Sequence, residues 1–387
     1  MFVIRRARIE DQSTLLKLAK MVHFINLPAD KDIIANKVVH SRGSFLRAAG
    51  RSDVAPPPKP RPTRGPGAGL GEATQRGDLF MFVLEDTENP GCLGTSQLIS
   101  QMGGPDDPNV CFKLERRERY SEALKTGVTN VVAKLHLDET GPTEIGGLVL
   151  QPSFRGHPLK LGRFVSLVRF HFIGLHRQRF RDRILAEMMA PITTDGQNLL
   201  WDHLARRFIP LSYSEADRFC QYSREFVTSL LPHGDIYLSL LPPEARAVVG
   251  EVGPETVPAR RMLEKLGFLY EDIIDPFDGG PFLHADTDDI AVIRDTKRAK
   301  LGKPVPKAKC NHRGIVSALD QDGEFRAVNE PFSLSRGVLS MTKEATAVLG
   351  AAVGDQVGVT VLDKPHLTAS KKRRTPKKTT KKSTSKK

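Results

Sequence analysis

Thr143-Glu-Ile-Gly146-Gly147-Leu148-Val-Leu150 is followed by Gln151-Pro-Ser-Phe-Arg155-Gly156-His-Pro-Leu-Lys160-Leu-Gly162-Arg163 and then by an apolar run to Phe180. The first piece is a strand from Glu144 to Leu150, the second a loop, and the third a long helix. A strand that feeds a helix through a glycine-bearing loop makes an anion site. The first N–H groups of the helix have no internal partners, and the macrodipole adds partial positive charge there. Arg155, Lys160 and Arg163 place further positive charge around it. Glycine weakens a strand, so Gly146 and Gly147 side by side mark a bulge or a close approach of ligand to backbone. Neither G-x-G-x-x-G nor G-x-x-x-x-G-K-[ST] is present, which weakens dinucleotide and P-loop readings.

The 387 residues suffice for one large domain and a smaller one. With 39% hydrophobic and 27% charged residues, the composition is that of a globular protein. No apolar run approaches the roughly 20 residues needed to cross a bilayer, and Met1-Phe-Val-Ile-Arg-Arg6 is not a signal-peptide start, so the expectation is a cytoplasmic protein without membrane contact. Cys92, Cys111, Cys220 and Cys310 lack C-x-x-C spacing, which points to buried or incidental thiols and to no metal site. The net charge of +13 is concentrated at one end: Lys371–Lys387 carries ten Lys or Arg and no acid, leaving +3 elsewhere. The body therefore need not be a nucleic-acid platform. The tail has no core-forming residues and is expected to be solvated, with weak, salt-sensitive nucleic-acid contact as its alternative role.

Along the chain, Phe2 to Ile9 is a first strand, Asp11 is placed to cap a helix through Val22, and Asp30 to cap a second helix ending near Ser41. Residues 50–77 are rich in Pro, Gly and Arg and form a disordered insertion, with a proline-rich recognition motif as the other reading. Leu79–Glu85 and Cys92–Ile99 make a hairpin around Glu88-Asn-Pro-Gly91. Within Val110–Leu137 only Val128–Leu137 has a clear strand pattern. Asp182–Met189 is a buried strand that carries Glu187 near its end. Val257–Leu266 is a helix with proline at its start and Gly267 just past its end. From Lys303 onward, short strands surround a helix at Thr342–Leu349.

Three separated pieces match one pattern. Ile4-Arg5-x-Ala7-x-x-x-Asp11 with its helix, the central strand with its Arg155-Gly156 loop, and Pro258-Ala-Arg-Arg-Met-Leu-Glu-Lys-Leu-Gly267-Phe268 resemble successive motifs of the GNAT superfamily of acyl-CoA N-acyltransferases. Leu27-Pro-Ala-Asp30, Phe82-Val-Leu-Glu-Asp-Thr-Glu88, Ala186-Glu-Met188, Trp201, Ala216-Asp217 and above all Phe277-Asp-Gly-Gly-Pro281 narrow this to a resemblance to the arginine N-succinyltransferase family. The resemblance implies an α/β (α+β) fold with a mixed, mostly antiparallel central sheet flanked by helices. Residues 1–296 would form the acyltransferase body, 297–369 a small β-rich domain and 370–387 a disordered tail. It implies succinyl-CoA as donor, the α-amine of L-arginine as acceptor, and a succinyl-CoA contact at Leu148. Enzymes of this kind tend to assemble, so a homo- or hetero-oligomer is a further expectation.

On that basis Gly146, Gly147, Leu148, Leu150, Arg155, Gly156, Gly162 and Arg163 are the expected coenzyme-binding residues. Family members carry a proton-donating histidine before a proline where this chain has Gly253-Pro254. The candidates for moving protons in its stead are Glu187, as base or amine ligand, and His233, near the missing histidine in sequence. Asp278, in its glycine-rich loop, is the candidate for the substrate guanidinium, against the commoner role of turn-forming Asp. Two other functions remain open from these residues: an N-acyltransferase with a different acyl-CoA or amine, and a non-catalytic CoA- or arginine-binding protein whose basic tail contacts nucleic acid.

Overall fold

Leu79-Phe-Met-Phe-Val-Leu84 is apolar at every position, the mark of a strand covered on both faces. In the computed structural model, which describes residues 1–21, 27–56, 77–89, 91–105, 108–193, 196–220 and 223–363, this is what the segment does. Phe80, Phe82 and Leu84 pack with the long helix Leu161–Leu175. Leu79, Met81 and Val83 pack with the helices Gln12–Lys20 and Lys31–Ala48 on the other face. Phe45, Phe80, Phe82, Phe172 and Phe325 form an aromatic cluster with mostly edge-to-face contacts, the closest being Phe80 and Phe172 at 4.6 Å between centroids.

The strands, in chain order, are β1 (Phe2–Arg6), β2 (Leu79–Asp86), β3 (Gly94–Ile99), β4 (Asn109–Ser121), β5 (Thr126–Asp138), β6 (Thr143–Leu150), β7 (Arg183–Glu187) and β8 (Ile236–Tyr237). They continue with β9 (Leu269–Ile274), β10 (Pro281–Asp286), β11 (Lys297–Leu301), β12 (His312–Leu319), β13 (Phe325–Ser335), β14 (Val338–Met341) and β15 (Gln356–Val361). All belong to one hydrogen-bonded sheet ordered β12-β15-β11-β14-β13-β1-β2-β3-β6-β7-β10-β9-β4-β5-β8. Its pairings are antiparallel except β6–β7 and β11–β14, so the sheet is mixed and mostly antiparallel, with helices against it. Strand β12 also pairs with β13, which closes β12, β15, β11, β14 and β13 into a small barrel. The barrel joins the body through β13 and β1, at Val3 opposite Val328.

His171, on the central helix, ties the two parts together. Its ring nitrogens meet Thr360 Oγ1 at 2.6 Å and Ser317 Oγ at 2.7 Å, both on barrel strands. Burial pushes His171 down to about 3 and His176 and His284 down to about 4, so all three are neutral in the folded chain at pH 7. In the unfolded chain they titrate near 6.5. The fold is therefore at full strength above that pH and loses up to about 1.4 kcal/mol per buried histidine for each unit below it, until the folded pKa is reached. Thermal unfolding followed from pH 7 to pH 5 should show this fall, and His171→Gln should make it shallower.

Local differences from the sequence expectation have physical causes. Asp11 does not cap the helix Gln12–Lys20 with its side chain: it forms a bidentate pair with Arg5 at 2.7 and 2.8 Å and accepts from the Arg8 N–H at the short turn Ile9–Asp11. Asp30 does cap, accepting from the N–H groups of Asp32 and Ile33, but its helix continues to Ala48 because Phe45 is a core residue. Val110–Leu137 is a single long hairpin, β4 and β5, paired along its whole length. Its outer half is exposed, so charge pairs such as Glu115 with Lys134 replace the apolar alternation that would have announced β4. The core of the Pro-rich insertion (57–76) and the Lys-rich tail lie outside the described residues.

Candidate active site

The centre of β6 is bulged. Gln97 of β3 faces Gly146 and Thr95 faces Val149, so Gly147 and Leu148 together stand opposite Ser96. Gly147 has φ +55°, and a Cβ there would lie 2.8 Å from Gln97 Nε2, so only glycine fits without displacement. On its other side β6 meets β7 for only two residue pairs, Thr143 with Ile184 and Glu144 with Leu185. Beyond them β7 follows β10, with which it pairs over five residues, while β6 follows β3. The strands diverge, and among the described residues the β7-facing backbone of residues 145–150 has no ladder partner. An open pair of this kind presents N–H and C=O groups to whatever enters it.

The loop after β6 leads from this opening to the central helix. Gly156 (φ +73°) and Lys160 (φ +53°) are both left-handed, and they turn the chain sharply enough for the helix to begin at Leu161. The first helical bond is from Phe164 N–H to the Lys160 carbonyl, so the N–H groups of residues 161–163 lack helical partners, and among the described residues no side chain caps them. Gly162 keeps this corner open: the atom nearest to a Cβ there would be Leu150 Cδ2, 3.7 Å away. Leu148 and Leu150 are half-buried beside the opening. Arg155 is exposed and pairs with Glu255; Arg163 is half-buried, and burial lowers its pKa. The eight expected coenzyme residues fall on three consecutive pieces of chain: β6, the loop after it and the start of the helix.

Glu187 ends β7 on the far side of the opening. Asn109 Nδ2 donates to Glu187 Oε1 at 3.0 Å, and Arg224 Nη1 donates to Asn109 Oδ1 at 2.7 Å. These three line a crevice together with Cys220, Asp275 and Phe277. Asp278 is differently placed: it is buried, and its two oxygens accept from the backbone N–H groups of Gly280 (2.7 Å) and Ala190 (2.9 Å). Burial raises it to about 6, and Asp275 also lies well above the usual carboxylate range. The Asp275–Pro281 loop is therefore wound around its own carboxylates, against the chain leaving β7. Gly280 is the tightest point, where a Cβ would sit 1.8 Å from the Met188 carbonyl oxygen.

His233 is not brought to this place. It is exposed, its Nε2 bonded to the Thr228 carbonyl at 2.9 Å, and it leads into β8, the last strand of the sheet. Gly253, in contrast, adjoins the end of β7: its N–H donates to the Met189 carbonyl at 3.0 Å, and a Cβ there would lie 3.2 Å from the Ala190 oxygen. Sequence reasoning missed Asn109 and Arg224, which no local pattern flags. It also passed over Arg169, although an arginine within Phe164–Leu175, an apolar helix, was a legible signal.

Comparison with known proteins agrees with this architecture. The model of the arginine N-succinyltransferase beta subunit family matches residues 69–292. The arginine N-succinyltransferase of Yersinia pestis is 36% identical over 292 residues, covering 74% of this chain and 83% of the relative. That of an Enterobacter species is 32% identical over 364 residues, covering 92% and 96%. The solved arginine/ornithine succinyltransferase subunit AI of Pseudomonas aeruginosa superposes with a TM-score of 0.73 at 25% identity, over 93% of this chain and 98% of that one. Family model, relatives and fold agree: this chain belongs to the arginine N-succinyltransferase family of acyl-CoA-dependent N-acyltransferases.

Proposed function

We propose that this chain transfers a succinyl group from succinyl-CoA to the α-amine of L-arginine, with the donor lying in the opening between β6 and β7. The observation that carries this is the divergence of these strands after Glu144, beside a bulge built on left-handed Gly147. Backbone groups freed there can pair with the coenzyme's amide-bearing arm. The unpartnered N–H groups at 161–163, with Lys160 and Arg163, suit its phosphates. The thioester oxygen then falls at Leu148, where a main-chain N–H can stabilise the oxyanion that forms on attack.

Arginine takes the crevice side. Its amine must be uncharged to attack, and Glu187, held by Asn109, is the carboxylate that accepts the proton. Arg224 supplies a cation for the α-carboxylate. Attack forms the C–N bond and gives the tetrahedral intermediate; its collapse breaks the C–S bond, and the thiolate leaves with a proton from solvent, because Gly253 has no side chain to provide one. Cytoplasmic placement, oligomeric assembly and a nucleic-acid role for residues 371–387 remain parts of this proposal, separate from the chemistry.

Release of free CoA, measured with succinyl-CoA and acetyl-CoA against arginine, ornithine and lysine, tests the reading. The pair succinyl-CoA and arginine should be the fastest, and silence with every pair would refute it. Position 253 gives a second test. Its backbone does not require glycine, and the close Ala190 oxygen needs to move only a few tenths of an ångström. Gly253→His should therefore fold and raise kcat by about tenfold or more if departure of the thiolate limits the rate; an unchanged kcat would show that it does not.

A further inference from the structure

We propose that Arg169 is the receptor for the terminal carboxylate of the acyl donor, making the enzyme selective for the mono-thioester of a dicarboxylic acid over a neutral acyl-CoA of the same length. This rests on the reading that the acyl group lies between β6 and β7.

Arg169 is 2% exposed, and every acceptor it has among the described residues is neutral: the Ser166 carbonyl at 3.1 Å, Ser166 Oγ at 2.7 Å and the Gly146 carbonyl at 3.3 Å. No carboxylate among the described residues offsets its charge, and burial alone lowers its pKa to about 9. Arg5, also buried at 8% exposed, shows what a structural arginine looks like in this protein: Asp11 grips it with two bonds, and Glu85 adds another. A desolvated guanidinium without an anion is costly, so its retention calls for an anion that arrives with a ligand.

The location fits. Gly146 directly precedes the bulge, and its carbonyl bond to Arg169 is long enough to be exchanged for a better acceptor. Leu148, the position proposed for the thioester oxygen, lies two residues further on, across the bulge and at most roughly 7 Å away. In a succinyl chain the two carbonyl carbons are roughly 4 Å apart by bond lengths, and a charge-assisted hydrogen bond adds about 2.8 Å. The planar fork of arginine also matches a carboxylate in a way that lysine does not.

The test compares succinyl-CoA with butyryl-CoA, which has a methyl group in place of the carboxylate, in CoA release by the wild type, Arg169→Gln and Arg169→Lys. The succinyl-to-butyryl ratio of kcat/KM should fall about 100-fold in Arg169→Gln and by less in Arg169→Lys. The ligand-free Arg169→Gln protein should melt no lower than wild type and lose most of its thermal shift with succinyl-CoA, whereas loss of a structural arginine would lower the melting point itself. Should Arg169→Gln not fold, Arg169→Lys carries the test, and its ratio must still fall. An unchanged ratio, or equal loss with both donors, overturns the inference and leaves the transfer reaction standing. A wild-type chain that releases CoA from neither donor overturns the transfer reading, and this inference with it.

Discussion

Glu187→Gln should lower turnover of arginine by about 100-fold while the chain remains folded. The replacement is nearly isosteric, and its amide oxygen can still accept the 3.0 Å bond from Asn109 Nδ2, so the local packing and the Asn109–Arg224 contact persist. What disappears is the negative charge and the basic oxygen beside the opening, without which an arriving ammonium keeps its proton. Raising the pH supplies free amine from solution, so the variant should recover with pH more steeply than the wild type. The check is a pH profile of kcat/KM for both proteins. A Glu187→Gln variant within twofold of wild type across the profile would remove Glu187 from the proton path and leave it as a structural partner of Asn109.

Gly147→Ala should cost about 1–3 kcal/mol of stability and reduce kcat/KM for the acyl donor more than tenfold. Two strains act together. The backbone is left-handed, and the new Cβ would come within 2.8–2.9 Å of three Gln97 side-chain atoms. Gln97 is 1% exposed and has little room to retreat. Relief requires the bulge to flatten, which rotates the Leu148 peptide away from where the thioester oxygen is to be held. Gly162→Ala is the matched control: its nearest neighbour is 3.7 Å away and its φ is ordinary, so its melting temperature should stay level or rise slightly. Equal kcat/KM in Gly147→Ala and wild type would separate the bulge from catalysis.

Much of the proposed donor side is legible in the sequence because it is local. Strand β6, its loop and the central helix are consecutive, and the left-handed positions Gly147, Gly156 and Lys160 all fall within this one stretch. The proposed acceptor side is assembled from afar. Asn109 is 78 residues from Glu187 and 115 from Arg224, and only the sheet order, with β9 and β10 between β4 and β7, brings them together. Asp278 illustrates a different limit. A glycine-rich acidic loop beside a site suits a guanidinium receptor, but the backbone N–H groups of Gly280 and Ala190 occupy its oxygens. His233 is near position 253 in sequence only, because the chain between them passes through β8 at the sheet edge.

A crystal structure of the chain with succinyl-CoA bound tests the central claim most directly. The expected result is a thioester oxygen within about 3 Å of the Leu148 main-chain nitrogen, the pantetheine arm between β6 and β7, and the pyrophosphate against the N–H groups of residues 161–163. A nucleotide bound elsewhere, or an opening between these strands filled by protein side chains, would contradict it.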